Sequence, residues 1–465
     1  MSDLFTARRS LRPILWILSA AAGFVLALGA ISLFLTPRIL TVRPATGQAI
    51  SGYTPVEVDF SVPMDPECAE NHFLLDPALP GRMEWAGSTL RFLPAAPWPA
   101  GQIIRVTVRA GACSAGGLSL LTGTDYSFQR SGSRITYITS ANGMYRLMAV
   151  DSEGKNAVVL LQSELPIQDY EIASRGDFLV YSLGPYDTPS NLWILQLDSP
   201  APELLLDCAG DACRSPAISP DGSLVAFLRS PMQSNRSSAV QPGLAHMETI
   251  RLMDSTTATV SPNGHIASNP SWAPTGWLSY YDATDRVVVV DDLLGGKTFI
   301  PSATGERWSW FPDGQGIIFP ETKIVGGDDH ETEQPITIIS NLIMVTIEGN
   351  ARKNLSGDPQ LEDSAPVISP DGKYLAFARN FFDSRWTPGK QLWLMNLKYF
   401  TAAPVTNLPD FGHSSFRWSP DGSALLFMRY HETKFSDPPE IWLVDSTGGN
   451  AVRISVGGYS PQWLP

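Results

Sequence analysis

The side chains best suited to chemistry in this chain are imidazoles and carboxylates. Five of its six histidines, His246, His265, His330, His413 and His431, fall in or beside loops after residue 240. The loop 326–333 adds Asp328, Asp329, Glu331 and Glu333. Nitrogen and oxygen donors of this kind hold divalent cations, so one expectation is a metal site assembled from these loops. No pair among them has the fixed spacing of a helical or turn ligand set, and loops collect polar residues anyway. The two HET sequences, at His330 and His431, lack the second histidine of a zinc-protease helix. Nucleophilic chemistry finds no support, because there is no G-x-S-x-G elbow. Phosphate-binding and dinucleotide glycine fingerprints are also missing. No catalytic residue is assigned, and no cofactor is expected beyond the divalent metal. A second group, Phe381, Phe382, Arg385, Trp386, Tyr430 and Lys434, mixes aromatic rings with cations in two long loops, the composition that supplies anchors at protein interfaces.

Length and charge bound what these residues could serve. The chain has 465 residues and a net charge of −13, with 33 basic against 46 acidic side chains. An acidic chain without a clustered basic face argues against a nucleic-acid partner. Residues 14–35 form an uncharged apolar run of 22 residues, the length of a membrane-spanning helix. Arg8, Arg9 and Arg12 precede it, which places residues 1–13 in the cytoplasm and everything after the helix outside the cell membrane. A cleaved signal peptide is the alternative, although its apolar region is normally shorter. Four cysteines agree with an oxidising exterior. Cys68 and Cys113 lie in one region, Cys208 and Cys213 close a short CAGDAC loop, and two disulfides are expected.

The elements that must position these residues are strands. Residues 37–130 alternate short apolar runs with glycine and proline, which reads as a small β-sandwich. From residue 131 to 465 the chain repeats a strand, a tight turn and a second strand: PAISPDGSLVAFLR (216–229), PSWAPTGWLSYY (270–281), WSWFPDGQGIIF (308–319), PVISPDGKYLAFAR (366–379) and FRWSPDGSALLFMR (416–429). A degenerate copy occupies 170–182. Serine, proline and glycine at their positions suit a type I turn followed by a left-handed residue, so the intervening aspartate reads as a turn residue rather than an acid catalyst. A third and a shorter fourth strand follow each hairpin. Four strands per repeat of about 48 residues specify a propeller blade. Residues 134–161 supply three strands without a first, and residues 459–465 supply a first strand alone, so the two ends complete a seventh blade. The fold class expected is all-β, a seven-bladed propeller with six blades as the alternative count.

Two resemblances follow from these motifs. RPATGQAI (43–50), VEVDFSVPMD (56–65), LRFLP (90–94) and Gly101 resemble the bacterial Ig-like domains of the SbsA type, departing at Ile104, where that family usually has an aromatic residue. The repeats from 131 onward resemble the TolB-type, WD-like propellers of bacteria. These resemblances imply a stalk and a propeller serving as an extracytoplasmic scaffold that binds a protein or an envelope component. Related propellers precede hydrolase domains in prolyl-oligopeptidase-like enzymes, but this chain ends at the closing strand, so no such domain is expected. TolB-like propellers that cleave uronate chains imply the alternative, a metal-dependent protein acting on polysaccharide. The loops between second and third strands vary most in length, which points to their face as the binding surface.

Overall fold

The computed structural model describes residues 36–46, 49–50, 54–95, 98–99, 102–130, 132–198, 201–234, 240–325, 337–349, 351–358 and 360–465. The apolar run at 14–35, the acidic loop at 326–333 and His330 lie outside them. Among the described residues no helix is long and apolar enough to cross a membrane. The chain divides into two compact units, Met1–Ser131 and Gly132–Pro465.

The first unit is built from two four-stranded sheets. One has the order Ile39–Arg43, Val56–Phe60, Thr89–Pro94, Gly81–Ala86, and the other Ala49–Ile50, Thr124–Arg130, Ile103–Val108, Phe73–Asp76. Strand periodicity sends alternate residues to one side, so Val56, Val58 and Phe60 enter the core while Glu57 and Asp59 stay outside it. Ile104 and Phe128 from the second sheet meet them, with Trp98 fully buried and its ring edge-on to Phe128 at 5.2 Å. Ile104 fills its site without an aromatic ring. A short helix, Pro66–Glu70, is capped by Asp65 and carries Cys68, which is disulfide-bonded to Cys113.

Among its described residues the second unit repeats one four-stranded antiparallel pattern seven times. Six four-stranded sets follow in chain order, beginning with the strands Ile167–Ile172, Ala212–Ile218, Ala267–Trp272, Ser309–Trp310, Leu361–Ile368 and Phe411–Trp418. The remaining set is assembled from both ends of the unit: Gly458–Leu464 pairs with Arg134–Ala141, which continues into Met144–Val150 and Val158–Ser163. A single parallel pairing, Ser340 with Glu362, joins the sets beginning at Ser309 and Leu361 into one eight-stranded sheet. An additional hairpin, Met232–Ser234 with Val240–Pro242, decorates the set that begins at Ala212.

The repeated sequence explains the repeated structure. In three turns the serine hydroxyl and the aspartate close on each other, Ser219 with Asp221 at 2.6 Å, Ser369 with Asp371 at 2.7 Å and Ser419 with Asp421 at 2.6 Å. The same serine oxygens accept the amides of Leu224, Tyr374 and Ala424. Burial pushes the Asp221 carboxyl up, but the Ser219 hydroxyl and the Ser223 amide outweigh it and hold the group below its ordinary value. These aspartates are consumed by their turns. Gly222, Gly372 and Gly422 follow at φ of 75°, 70° and 70°, the left-handed region where a side chain is strained.

Eight positions after the turn serine, or after the residue that replaces it, each second strand places a buried ring: Tyr181, Phe227, Tyr281, Phe319, Phe377 and Phe427, with Tyr137 in the equivalent place of the set built from both ends. Each such ring stabilises the sheet packing by roughly 1.5–3 kcal/mol through burial. Indoles then stitch three inner strands to their predecessors. Trp272 donates to the Ala217 carbonyl at 2.9 Å, Trp418 to Val367 at 3.0 Å and Trp463 to Arg417 at 3.0 Å. The last of these ties the final strand of the chain to the preceding set. On its other side, Gln462 donates to the Tyr170 carbonyl and the Tyr170 hydroxyl donates to the Ser460 carbonyl.

Candidate functional site

In an antiparallel set of four strands, the loops from second to third strand leave at the same end as the connections between sets. The SPDG turns and the third-to-fourth turns occupy the other end. The interface group expected from sequence lies at the first end, but its members are not equivalent. Phe381 is half-buried, edge-on to Trp393, with the Arg385 guanidinium 3.8 Å above its ring. Arg385 is forked onto Asp383 and reaches Asp358 at 3.6 Å. Phe382 and Tyr430 are also half-buried, and Lys434 is exposed. Trp386 alone among the six is a large apolar side chain open to solvent, at 56%.

Three residues that sequence reasoning missed share this character. Tyr186 is 74% exposed, Leu244 64% and Phe435 90%, each in a different second-to-third loop. Four loops therefore each present one large apolar group at the same end of their sets. The signal was a lone apolar residue within a polar insertion, which composition read over a whole loop averages away. Exposed Met253, Leu294 and Tyr399 sit in third-to-fourth turns at the opposite end.

The described histidines do not converge. His246 hydrogen-bonds Glu248 at 2.9 Å, beside Arg229. His413 is buried, its Nδ1 2.9 Å from the Lys390 carbonyl and its Nε2 buried without a partner. Burial pushes its pKa down to about 4, against the pull of that carbonyl and helped by the Arg429 charge. His431 packs against Phe411, its ring tilted by 54° and the centroids 4.9 Å apart. His265 lies 2.7 Å from Asp282 and 3.8 Å from Asp285, and among the described residues this trio is the one cluster whose donor atoms could share a cation. The Asp282 carboxylate, itself buried, holds the His265 imidazole above its ordinary pKa. The cysteines pair as Cys68–Cys113 and Cys208–Cys213.

A cavity of about 860 Å³ lies on the axis of the second unit, lined by residues from all seven inner strands or the segments leading into them. Every inner strand except the shortest carries a register shift. At five of these bulges a residue takes positive φ: Ser215, Asn269, Ala365, Ser415 and Ser460. Proline follows at four of them, Pro216, Pro270, Pro366 and Pro461, so no backbone donor is left unpaired there. This bulge turns the strand around the axis.

The wall is largely proline, indole and small side chains, with four charges. Asp169 is tied to the Ser182 hydroxyl and accepts the Ser215 amide at 2.7 Å. Burial pushes the Glu171 carboxyl above its ordinary value, against the pull of Arg417 and Arg307. It also pushes Arg417 down, opposed by Glu171 and reinforced by Arg307. Arg417 donates to the Phe416 carbonyl at 3.0 Å, and Arg307 is exposed to the cavity.

No protein-family model matches the chain. A dipeptidyl-peptidase 5 from Porphyromonas gingivalis is 23% identical over 183 residues, 38% of this chain, and the match spans a quarter of that protein's length. A solved puromycin hydrolase is similar in structure with a TM-score of 0.51 and 12% identity, covering 70% of this chain and 53% of that one. TolB from Acinetobacter baumannii superposes with a TM-score of 0.43 and 13% identity over 85% of this chain and 83% of its own. These are likenesses of fold. The chain is all-β and propeller-like.

Proposed function

We propose that the chain is a membrane-anchored, extracytoplasmic binding scaffold. In this reading the second unit is a seven-bladed propeller closed by its own last strand, the first unit an Ig-like spacer and residues 14–35 the anchor. The observation that carries the proposal is the set of exposed apolar groups, Tyr186, Leu244, Trp386 and Phe435, one per second-to-third loop at one end of the ring. Scattered exposed apolar residues are ordinary. Four distributed over equivalent loops give a partner protein, or an envelope component, anchors at several points of one face. The anchor reading is supported by the uncharged run at 14–35 and by two disulfides, which persist in oxidising compartments.

The test is co-purification of the full-length protein from its native membranes. Trp386→Ser and Phe435→Ser together are expected to weaken recovery of the partner by at least about thirtyfold, the size of a lost interface anchor. Met253→Ser with Leu294→Ser should leave it unchanged. Equal losses from both pairs would remove the proposed face.

A second reading rests on His265, Asp282 and Asp285. Their geometry suits a divalent cation, which would return the metal-dependent polysaccharide function to consideration. Its test is elemental analysis of gently purified protein beside Asp285→Asn; a stoichiometric metal lost in the variant supports it, and a metal-free wild type ends it.

A further inference from the structure

We propose that the axial cavity is a receptor for a carboxylate-bearing ligand, clasped between the guanidinium groups of Arg307 and Arg417. This site is separate from the long-loop face and does not depend on the scaffold reading.

The argument begins with register. Counted back from the turn, the position two residues before the turn serine or its counterpart holds Ala217, Ser271, Ser309 and Val367 in four repeats, but Glu171, Arg417 and Gln462 in the other three. The bulge position two residues earlier holds Ser215, Asn269, Ala365, Ser415 and Ser460, but Arg307 and Asp169 in the remaining two. Fold maintenance therefore accepts small or apolar residues at both places. Long cations there cost desolvation and side-chain entropy that the ring does not require.

Both cations favour the charge on Glu171, but neither forms an ion pair with it among the described residues. Within the described residues neither Arg307 nor Arg417 has a carboxylate oxygen within 4.0 Å, although both line the same cavity as Asp169 and Glu171. Asp169 is already occupied by Ser182 and Ser215. Arg417 makes one hydrogen bond, to the carbonyl of Phe416. A guanidinium has five donors in a planar fork suited to a carboxylate. Arg307 disfavours the charge on Arg417 while Glu171 favours it more strongly, so an anion reaching both guanidinium groups would compete with Glu171 for them.

The rest of the wall defines the body of the ligand. Pro216, Pro270, Trp272 and Trp308 present flat apolar surface. The volume of about 860 Å³ lies within the range of small-molecule sites. The chemistry recognised is thus a carboxylate on a flat or extended apolar body, which could be a free organic acid or the C-terminus of a peptide.

The experiment is ligand-observed NMR on the full-length protein in detergent with four probes: benzoate, benzamide, N-acetyl-trialanine with a free carboxylate, and the same peptide as its amide. At least one acid should bind, with its amide about 10–100-fold weaker, the loss expected when a charge-assisted contact goes. Benzoate alone would mark a small-acid site, and the peptide acid alone a C-terminus receptor. Arg307→Gln should weaken the acid by a similar factor. Glu171→Gln, which removes the competing negative charge, should tighten it severalfold, a gain that misfolding cannot produce. Absence of binding by both acids at 10 mM, equal binding of acid and amide, or acid binding indifferent to Arg307→Gln and Glu171→Gln would each overturn the proposal.

Discussion

His413 gives the account a prediction with a sign and a size. Its imidazole is 2% exposed, one nitrogen faces a carbonyl, the other has no partner, and burial holds its pKa at about 4. In the unfolded chain a histidine titrates near 6.5. The folded pKa is the lower one, so the contribution to stability is fully present above pH 6.5 and is lost as the pH falls toward 4. Between pH 7.5 and 5.0 this one group should remove about 2 kcal/mol, from the two pKa values and 1.36 kcal/mol per unit. His413→Asn keeps a donor near the Lys390 carbonyl but cannot titrate. Urea unfolding followed by tryptophan fluorescence at both pH values, for wild type and variant, isolates the effect from all other groups. The variant should lose about 2 kcal/mol less than wild type over that interval. An identical pH dependence in both proteins would mean that His413 is not held neutral by burial, and the reasoning would fail.

Three further predictions follow from the packing. Trp463→Phe, which removes the indole donor to the Arg417 carbonyl, should cost about 1 kcal/mol in the same unfolding assay, whereas deletion of Gly458–Leu464 should leave Arg134–Ala141 as an open edge and produce association detectable by light scattering. Replacing Cys68 and Cys113 by alanine releases a crosslink across 45 residues, and should destabilise the first unit by about 4 kcal/mol in chemical denaturation. Asp363→Ala strands Arg379, which is forked onto that buried carboxylate at 2.7 and 2.6 Å, and should cost roughly 3–5 kcal/mol; Arg385→Gln in the exposed loop should leave the unfolding midpoint where it was.

Much of the fold was legible because the repeat writes the same physics several times. Serine, aspartate and glycine close each SPDG turn through short-range hydrogen bonds that depend on neighbours two to five residues away. The buried ring eight residues later follows from strand alternation. The site was less legible. Phe381 ends the strand Tyr374–Phe381 and Trp386 stands five residues on in the loop that follows, yet the first packs beneath Arg385 and against Trp393 on the next strand while the second faces solvent. Histidine positions put five imidazoles in or beside loops after residue 240, but radial distance is invisible in sequence, and the described ones each met a different partner. Glu171, Arg307 and Arg417 were within reach, since aligning the repeats on their turns exposes them as charged residues where the other copies are mostly small or apolar.

The most direct test of the central claim places a photo-crosslinking amino acid at 386 and 435 on the long-loop end and at 253 and 294 on the opposite end, in full-length protein irradiated in its native membranes. The account predicts one recurrent adduct from positions 386 and 435 and none from 253 or 294. The same adduct from all four positions, or from 253 and 294 alone, would contradict it.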